Sequence, residues 1–281
     1  MPMKYFYHLL ILSILSISFL SCQSESDAEK ASAYLNRARS CVAESHYNQA
    51  KILLDSIHDC YPREVAVRRL AKILLDSISV IENERTLHYC DSLLPLMQAE
   101  IATALKSFRR EDDSSYLSEV RYVHRLLRTE NNALRCYLQV KVGESGDVFM
   151  KSTYCGRSIK HNTVELQSKD FSLKSMGSNF HAFTVDNVQC ETLLFSQDDA
   201  WALLRFLEEH SQESIKVVLG GSSSSYPYYL MESERKALAE TYALSVLLSD
   251  YERLNQERRR ADIRRNQSAK RLSLGSPDSE Q

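Results

Sequence analysis

The chain has 281 residues, with 35 Lys+Arg against 37 Asp+Glu, a formal net charge of −2 and 43% hydrophobic residues. This balance excludes a polytopic membrane protein and a low-complexity disordered chain, and it supplies no electrostatic case for nucleic-acid binding. Only 7 Gly and 5 Pro are present, so helix breakers are scarce and long helices are expected.

Met1–His8 carries the single cation Lys4, and Leu9–Leu20 is apolar apart from Ser13, Ser16 and Ser18. Twelve helical residues reach about 18 Å, against roughly 30 Å of bilayer hydrocarbon. The run is too short to span a membrane and reads as the core of a signal peptide over residues 1–21. It ends on Phe19-Leu20-Ser21-Cys22. That tetrapeptide resembles a relaxed lipobox of the Bacteroidetes lipoprotein type, although the commonest pattern has Leu three places before the Cys and a small residue two places before. The resemblance implies acylation of Cys22 and anchoring to a lipid bilayer of the cell envelope, with the outer membrane as the expected site. Each buried methylene contributes about 0.8 kcal/mol, so two or three acyl chains anchor stably. An ordinary secretory signal with Cys22 incidental is the alternative.

Residues 22–30 form an acidic, Ser-rich tether with Glu25, Asp27 and Glu29. It resembles the export signals of surface lipoproteins, and the choice between periplasmic and surface faces stays open. Outside the cytosol, Cys41, Cys60, Cys90, Cys136, Cys155 and Cys190 are able to form disulfides. Their wide spacing fits buried thiols equally well, and pairing is not readable from sequence. None forms a C-x-x-C pair, which removes support for a zinc ribbon or a thioredoxin-type site.

Residues 31–115 read as a helical domain. Ala31, Tyr34, Leu35, Ala38 and Val42 fall at helical spacing, and Tyr47, Ala50, Leu53, Leu54 and Ile57 repeat it after Glu44-Ser45-His46. Tyr61-Pro62 ends the second run. Tyr34, Ala38, Tyr47, Ala50, Leu54 and Pro62 give the pair a resemblance to one tetratricopeptide-type hairpin. Ala50–Ile57 recurs unchanged as Ala71–Ile78, an offset of 21 residues or three heptads. This predicts one packing face used twice. Helices over 63–84 and 85–110 follow, with a kink or a new start at Pro95.

Residues 116–232 read as a β-rich domain with one helix. Tyr116–Arg135 fits either a helix or an entering strand at Arg121–His124. Leu138, Val140 and Val142 alternate with Tyr137, Gln139 and Lys141, and Gly143–Gly146 makes a turn. Further strands are expected at 148–155, 163–167, 180–185, 188–195, 215–219 and 226–231. Ser196 caps a helix through Trp201, Leu203, Leu204 and Leu207. A long C-terminal helix is expected over 233–260, with a seam of Leu244, Leu247, Leu248, Tyr251 and Leu254, followed by a basic disordered tail at 261–281. The fold class is therefore α+β: a helical hairpin or bundle, then an antiparallel, sandwich-like β-rich domain, then a long helix. Arg135–Val142, Gly146, Ser152–Gly156, Ile159–His161 and Asp198-Asp199 resemble segments of Bacteroidetes lipoproteins. That resemblance implies this architecture and an envelope location, and it carries no activity across.

Several side chains invite chemistry. His161, His181, Cys155 and Cys190 suit zinc by ligand type but keep no short ligand spacing. A Cys/His nucleophile pair has no local signature. Gly220–Ser225 could offer amides to a phosphate, yet lacks the Gly-Lys-Ser/Thr ending of a P-loop and fits a hairpin loop better. Adjacent Glu208 and Glu209 diverge on a helix and make no glycosidase pair. The seven cations from Arg258 to Arg271 suit an anionic polymer or lipid headgroups. No catalytic, cofactor-binding or metal-ligating residue is assigned; Cys22 is the lipid attachment site. The expected function is a non-catalytic scaffold or recognition module for a protein or glycan partner. The alternatives are an envelope hydrolase with a Cys/His site in the β domain, or an anionic-polymer binder using Arg258–Arg271.

Overall fold

The computed structural model describes residues 25–112 and 120–275. The expected signal peptide, Cys22 and the start of the expected tether lie outside the described residues, as do 113–119 and 276–281. The described chain is α+β, with five α-helices and ten antiparallel strands. It divides into two compact units, Met1–Arg85 with Ala261–Gln281, and Thr86–Arg260.

In the first unit, α1 (Asp27–Ala43) and α2 (Tyr47–Cys60) form the expected hairpin. Ser26 caps α1: its Oγ accepts from the Glu29 amide, while its own amide donates to the Glu29 carboxylate at 2.8 Å. The acidic segment is therefore helical from Asp27 onward rather than a free tether, because this reciprocal cap supplies two of the donors' missing partners at the helix start. Between the helices Ser45 takes φ 63°, the left-handed turn conformation. Ala31, Leu35 and Ala38 of α1 meet Ala50, Leu54 and Ile57 of α2, together with Ala71 and Ile78 of α3 (Val65–Ala104). Both copies of the repeated octapeptide thus line one core. The far end of α5 (Glu232–Gly275) joins this unit through Arg271, whose guanidinium donates twice to Asp76 at 2.6 and 2.8 Å, and through Ser268, which donates to Ser79.

Two expectations change here. The segment after 260 is helical to Gly275 instead of a disordered tail, since its cations find carboxylates and Ala261 and Ser268 are buried. The expected helices over 63–84 and 85–110 are one helix, α3, which runs through Pro95 and ends at Ala104. Proline removes one backbone bond, and Leu87 and Cys90 of the same helix are buried.

The second unit contains two sheets. The first has the order β1-β2-β3-β4-β8-β7, built from β1 (Phe108–Asp112), β2 (Val120–His124), β3 (Tyr137–Gly143), β4 (Val148–Cys155), β7 (Ser178–Val185) and β8 (Val188–Leu194). The second has the order β10-β9-β5-β6, from β5 (His161–Gln167), β6 (Ser172–Met176), β9 (Lys216–Gly221) and β10 (Ser225–Tyr229). Leu138, Val140, Met150 and Leu193 of the first sheet share a core with Val164, Leu166, Val217 and Leu219 of the second. Helix α4 (Gln197–Glu209) adds Leu203, Leu204 and Leu207, each fully buried. The chain passes from β6 to β7, and so between sheets, at Gly177; a Cβ there would collide with the Leu193 side chain. Leu244 and Leu248 of α5 pack with Phe108 and Val142, so the predicted apolar seam covers the β-rich unit.

The seven expected strands are present. β1 and β6 were not foreseen, because Phe-Arg-Arg-Glu-Asp and Ser-Leu-Lys-Ser-Met lack an apolar alternation strong enough to mark them. The ambiguous stretch at 121–124 resolves as β2, paired with both β1 and β3. Leu204→Ala is expected to lower unfolding free energy by about 2–5 kcal/mol, through lost transfer energy plus a cavity, measured by urea denaturation.

Candidate functional site

The corner between the sheets holds a buried polar cluster. Ser152 on β4, His161 at the start of β5 and Glu191 on β8 are 0%, 1% and 0% exposed. The parity of β4 and β8 that points Met150 and Leu193 inward also points Ser152 and Glu191 inward. Ser152 Oγ lies 2.6 Å from His161 Nε2, and His161 Nδ1 lies 3.1 Å from the Gly220 carbonyl oxygen. The carbonyl only accepts, so Nδ1 carries the proton and Nε2 accepts from the Ser152 hydroxyl. Burial holds the imidazole below its ordinary pKa of 6.5, against the smaller upward pulls of Gly220 and Glu191. Glu191 accepts from Ser158 Oγ at 2.5 Å and from the amides of Lys160 and His161 at 3.3 and 2.9 Å. Burial pulls its pKa up, but these donors outweigh it and hold the carboxyl below 4.5.

A hydroxyl hydrogen-bonded to a neutral imidazole is the pairing of an activated nucleophile. Here both members are sealed inside the core, and the Glu191 carboxylate binds the His161 backbone rather than its ring. The arrangement ties β4, β5, β8 and β9 together and presents no reacting atom to solvent.

No protein-family model, curated protein or solved structure matches this chain.

The sequence-selected groups disperse. Cys155 and Cys190 are bonded to each other across β4 and β8, which removes both as thiolate ligands or nucleophiles. Cys41, Cys60, Cys90 and Cys136 are free thiols; Cys90 is buried and Cys60 is exposed. His161 faces Ser152, while His181 stacks on Phe183 on exposed β7. Among the described residues no group of three His, Cys, Asp or Glu side chains is placed to hold a metal, and neither histidine is hydrogen-bonded to a thiol. Glu209 pairs with Arg205 on its own helix at 2.8 Å. Arg258, Arg259, Arg265 and Arg271 pair with Asp91, Glu252, Asp262 and Asp76.

Gly220–Ser225 closes the β9–β10 hairpin and borders an open surface. Register places Met176, Thr163, Gly220 and Ser225 in one row on the outer face of the second sheet, then Lys174, Glu165, Val218 and Pro227, then Ser172, Gln167, Lys216 and Tyr229. One cleft of about 560 Å³ lies over Thr163, Glu165, Lys174 and the serine loop. A second, of about 630 Å³, is lined by Gln167, Lys169, Glu213, Lys216 and Tyr229. The Tyr229 ring is 64% exposed beside these hydrogen-bonding groups.

Glu191 and Tyr229 carry no chemistry in the sequence analysis, and Ser152 enters it only within the segment Ser152–Gly156. Glu191 left one readable signal, an acid at inward parity between Cys190 and an apolar strand end.

Because His161 binds protons less readily folded than unfolded, its contribution to stability is complete above about pH 6.5 and declines as pH falls towards the folded value. His124 is depressed by burial in the same sense, partly offset by Glu240. Urea unfolding is expected to show stability falling from pH 7.5 to 5.5 (roughly the range spanning an ordinary histidine pKa), with a shallower slope in His161→Gln.

Proposed function

We propose that the chain is a non-catalytic, lipid-anchored envelope protein whose β-rich unit recognises a glycan on the outer face of its four-stranded sheet. The observation that carries this reading is Tyr229, an exposed aromatic ring in the same row as Gln167 and Lys216, beside a cleft that also holds Glu213 and Lys169. An aromatic face offers an apolar platform to the C–H side of a sugar ring, and amide, ammonium and carboxylate groups match its hydroxyls as donors and acceptors. The face is broad and shallow, as suits a polymer surface better than an enclosed small molecule.

Two features support the compartment. The apolar segment and Phe19-Leu20-Ser21-Cys22 read as an acylation signal, and the Cys155–Cys190 disulfide belongs to an oxidising environment. Among the described residues no helix is long and apolar enough to cross a membrane. The non-catalytic assignment rests on the sealing of the Ser152–His161 pair.

Tyr229→Ala and Gln167→Ala are each expected to weaken retention on envelope glycans about tenfold, a loss of about 1.4 kcal/mol, measured by glycan array and calorimetry. Unchanged retention in both variants rejects the face as the binding site. Cys22→Ala is expected to move the protein from the membrane fraction to the soluble fraction, and continued lipid labelling of that variant rejects the anchor.

A further inference from the structure

Each sheet of the second unit ends on edge strands, and three of the four carry the usual protection against pairing with another chain. β1 contains Arg109, Arg110 and Glu111, β10 contains Pro227, and β6 contains Lys174. Charges and proline on an edge discourage strand addition. β7 differs. Its sequence Ser-Asn-Phe-His-Ala-Phe-Thr-Val has no charged residue, Pro or Gly, and all eight residues are exposed. Phe180 is 50% and Phe183 37% exposed.

The register identifies which backbone groups on this edge are available. Cys155 and Cys190 face each other with Cα atoms 4.1 Å apart, the narrow spacing of a non-hydrogen-bonded pair, since hydrogen-bonded pairs sit about 5.5 Å apart. Cys190 therefore turns its N–H and C=O away from β4 and towards β7, where Phe183 is its partner. From His181 to Val185 the register is regular. Odd-numbered residues there bond to β8, which leaves the N–H and C=O of Ala182 and Thr184 directed outward.

The geometry points to a second copy of this chain as the occupant, its β7 antiparallel to the first about a two-fold axis at Phe183. In that register Ala182 of each copy exchanges hydrogen bonds with Thr184 of the other, so every outward group of the regular segment is satisfied. Phe183 meets its own symmetry mate at the close, non-hydrogen-bonded position, and His181 meets Val185. These are aromatic–aromatic and aromatic–β-branched cross-strand pairs, the kinds that stabilise antiparallel sheets. No charge opposes a like charge, because the strand has none; a charge-free edge is complementary to itself. The row Cys155, Cys190, Phe183 continues through the axis into the mate's Phe183, Cys190 and Cys155, and the two six-stranded sheets become one. Such an isologous contact closes at two subunits.

The test uses the full chain extracted in detergent at several protein-to-micelle ratios, with sedimentation velocity reporting the mass. A dimer is expected. Ala182→Pro removes an outward N–H while sparing the β7–β8 ladder, as prolines on edges do. Phe183→Lys places two ammonium groups across the axis. Each is expected to raise the dimer dissociation constant about tenfold or more, with far-UV circular dichroism unchanged. Phe183→Cys is expected to give an oxidised dimer linked between the two substituted positions, identified by non-reducing peptide mapping, and this readout stands even where the other variants misfold. A monomeric wild-type chain, a dimer that persists in both Ala182→Pro and Phe183→Lys, or capture of a foreign strand by a monomer overturns the proposal. Failure of the 183–183 link overturns the register.

Discussion

A carboxylate with no solvent exposure sets the geometry of the β-rich unit. Removing an ionised acid from water costs several kcal/mol unless donors replace the lost hydration. Glu191 sits on β8, in the first sheet, and its donors are Ser158 Oγ and the amides of Lys160 and His161 at the entry to β5, in the second. Satisfying that one charge fixes where the second sheet begins relative to the first. The imidazole of His161 then has a defined direction, with Ser152 on one nitrogen and the Gly220 carbonyl on the other. Four strands from two sheets converge on this cluster, and the apolar side chains around it exclude water. The same exclusion makes the hydrogen bonds strong.

The pleat separates the buried polar cluster from the polar outer face. Inward parity carries the sealed cluster and the aliphatic core, while outward parity on β5, β6, β9 and β10 carries Glu165, Gln167, Lys174, Lys216 and Tyr229. The first sheet treats its two margins differently as well. β1 is charged and bears Glu111, which pairs with Lys141 on β3 at 2.7 Å, whereas β7 is uncharged and wholly exposed. Glycine is required at the Gly177 corner, because the Leu193 side chain occupies the space of any Cβ. That corner carries the chain from the four-stranded sheet to the edge strand β7 of the other.

Much of the fold was legible in local patterns. Helical spacing located α1, α2 and α4, and period-two alternation located β3 and β4, since both follow from burying one face of a regular element. Elements without an apolar face escaped this logic: β1 reads as a charged run, and β6 is too short and polar to register a period. The end of α5 was misread for a related reason. Repulsion among its cations argues for disorder only until Asp76 and Asp91, far away in sequence, are placed beside Arg271 and Arg258. Of the candidate groups, Cys155 and His161 were visible by residue type, but their fates were not. A disulfide and a sealed hydrogen bond both require partners supplied by other strands, and only register puts Tyr229 in one row with Gln167 and Lys216.

The repeated octapeptide shows where the boundary falls. Ala50–Ile57 and Ala71–Ile78 are the same eight residues, and the pattern alone determines that both are helical and that Ala50, Ile57, Ala71 and Ile78 turn inward. It does not determine what happens to the acid within each copy. Asp55 is exposed, whereas Asp76 is 8% exposed and accepts both Arg271 hydrogen bonds from 195 residues away. Helix formation and facing are set by neighbours within a turn or two, which the sequence contains. Burial and charge pairing are set by whichever distant element arrives at that face, and only the tertiary structure decides that.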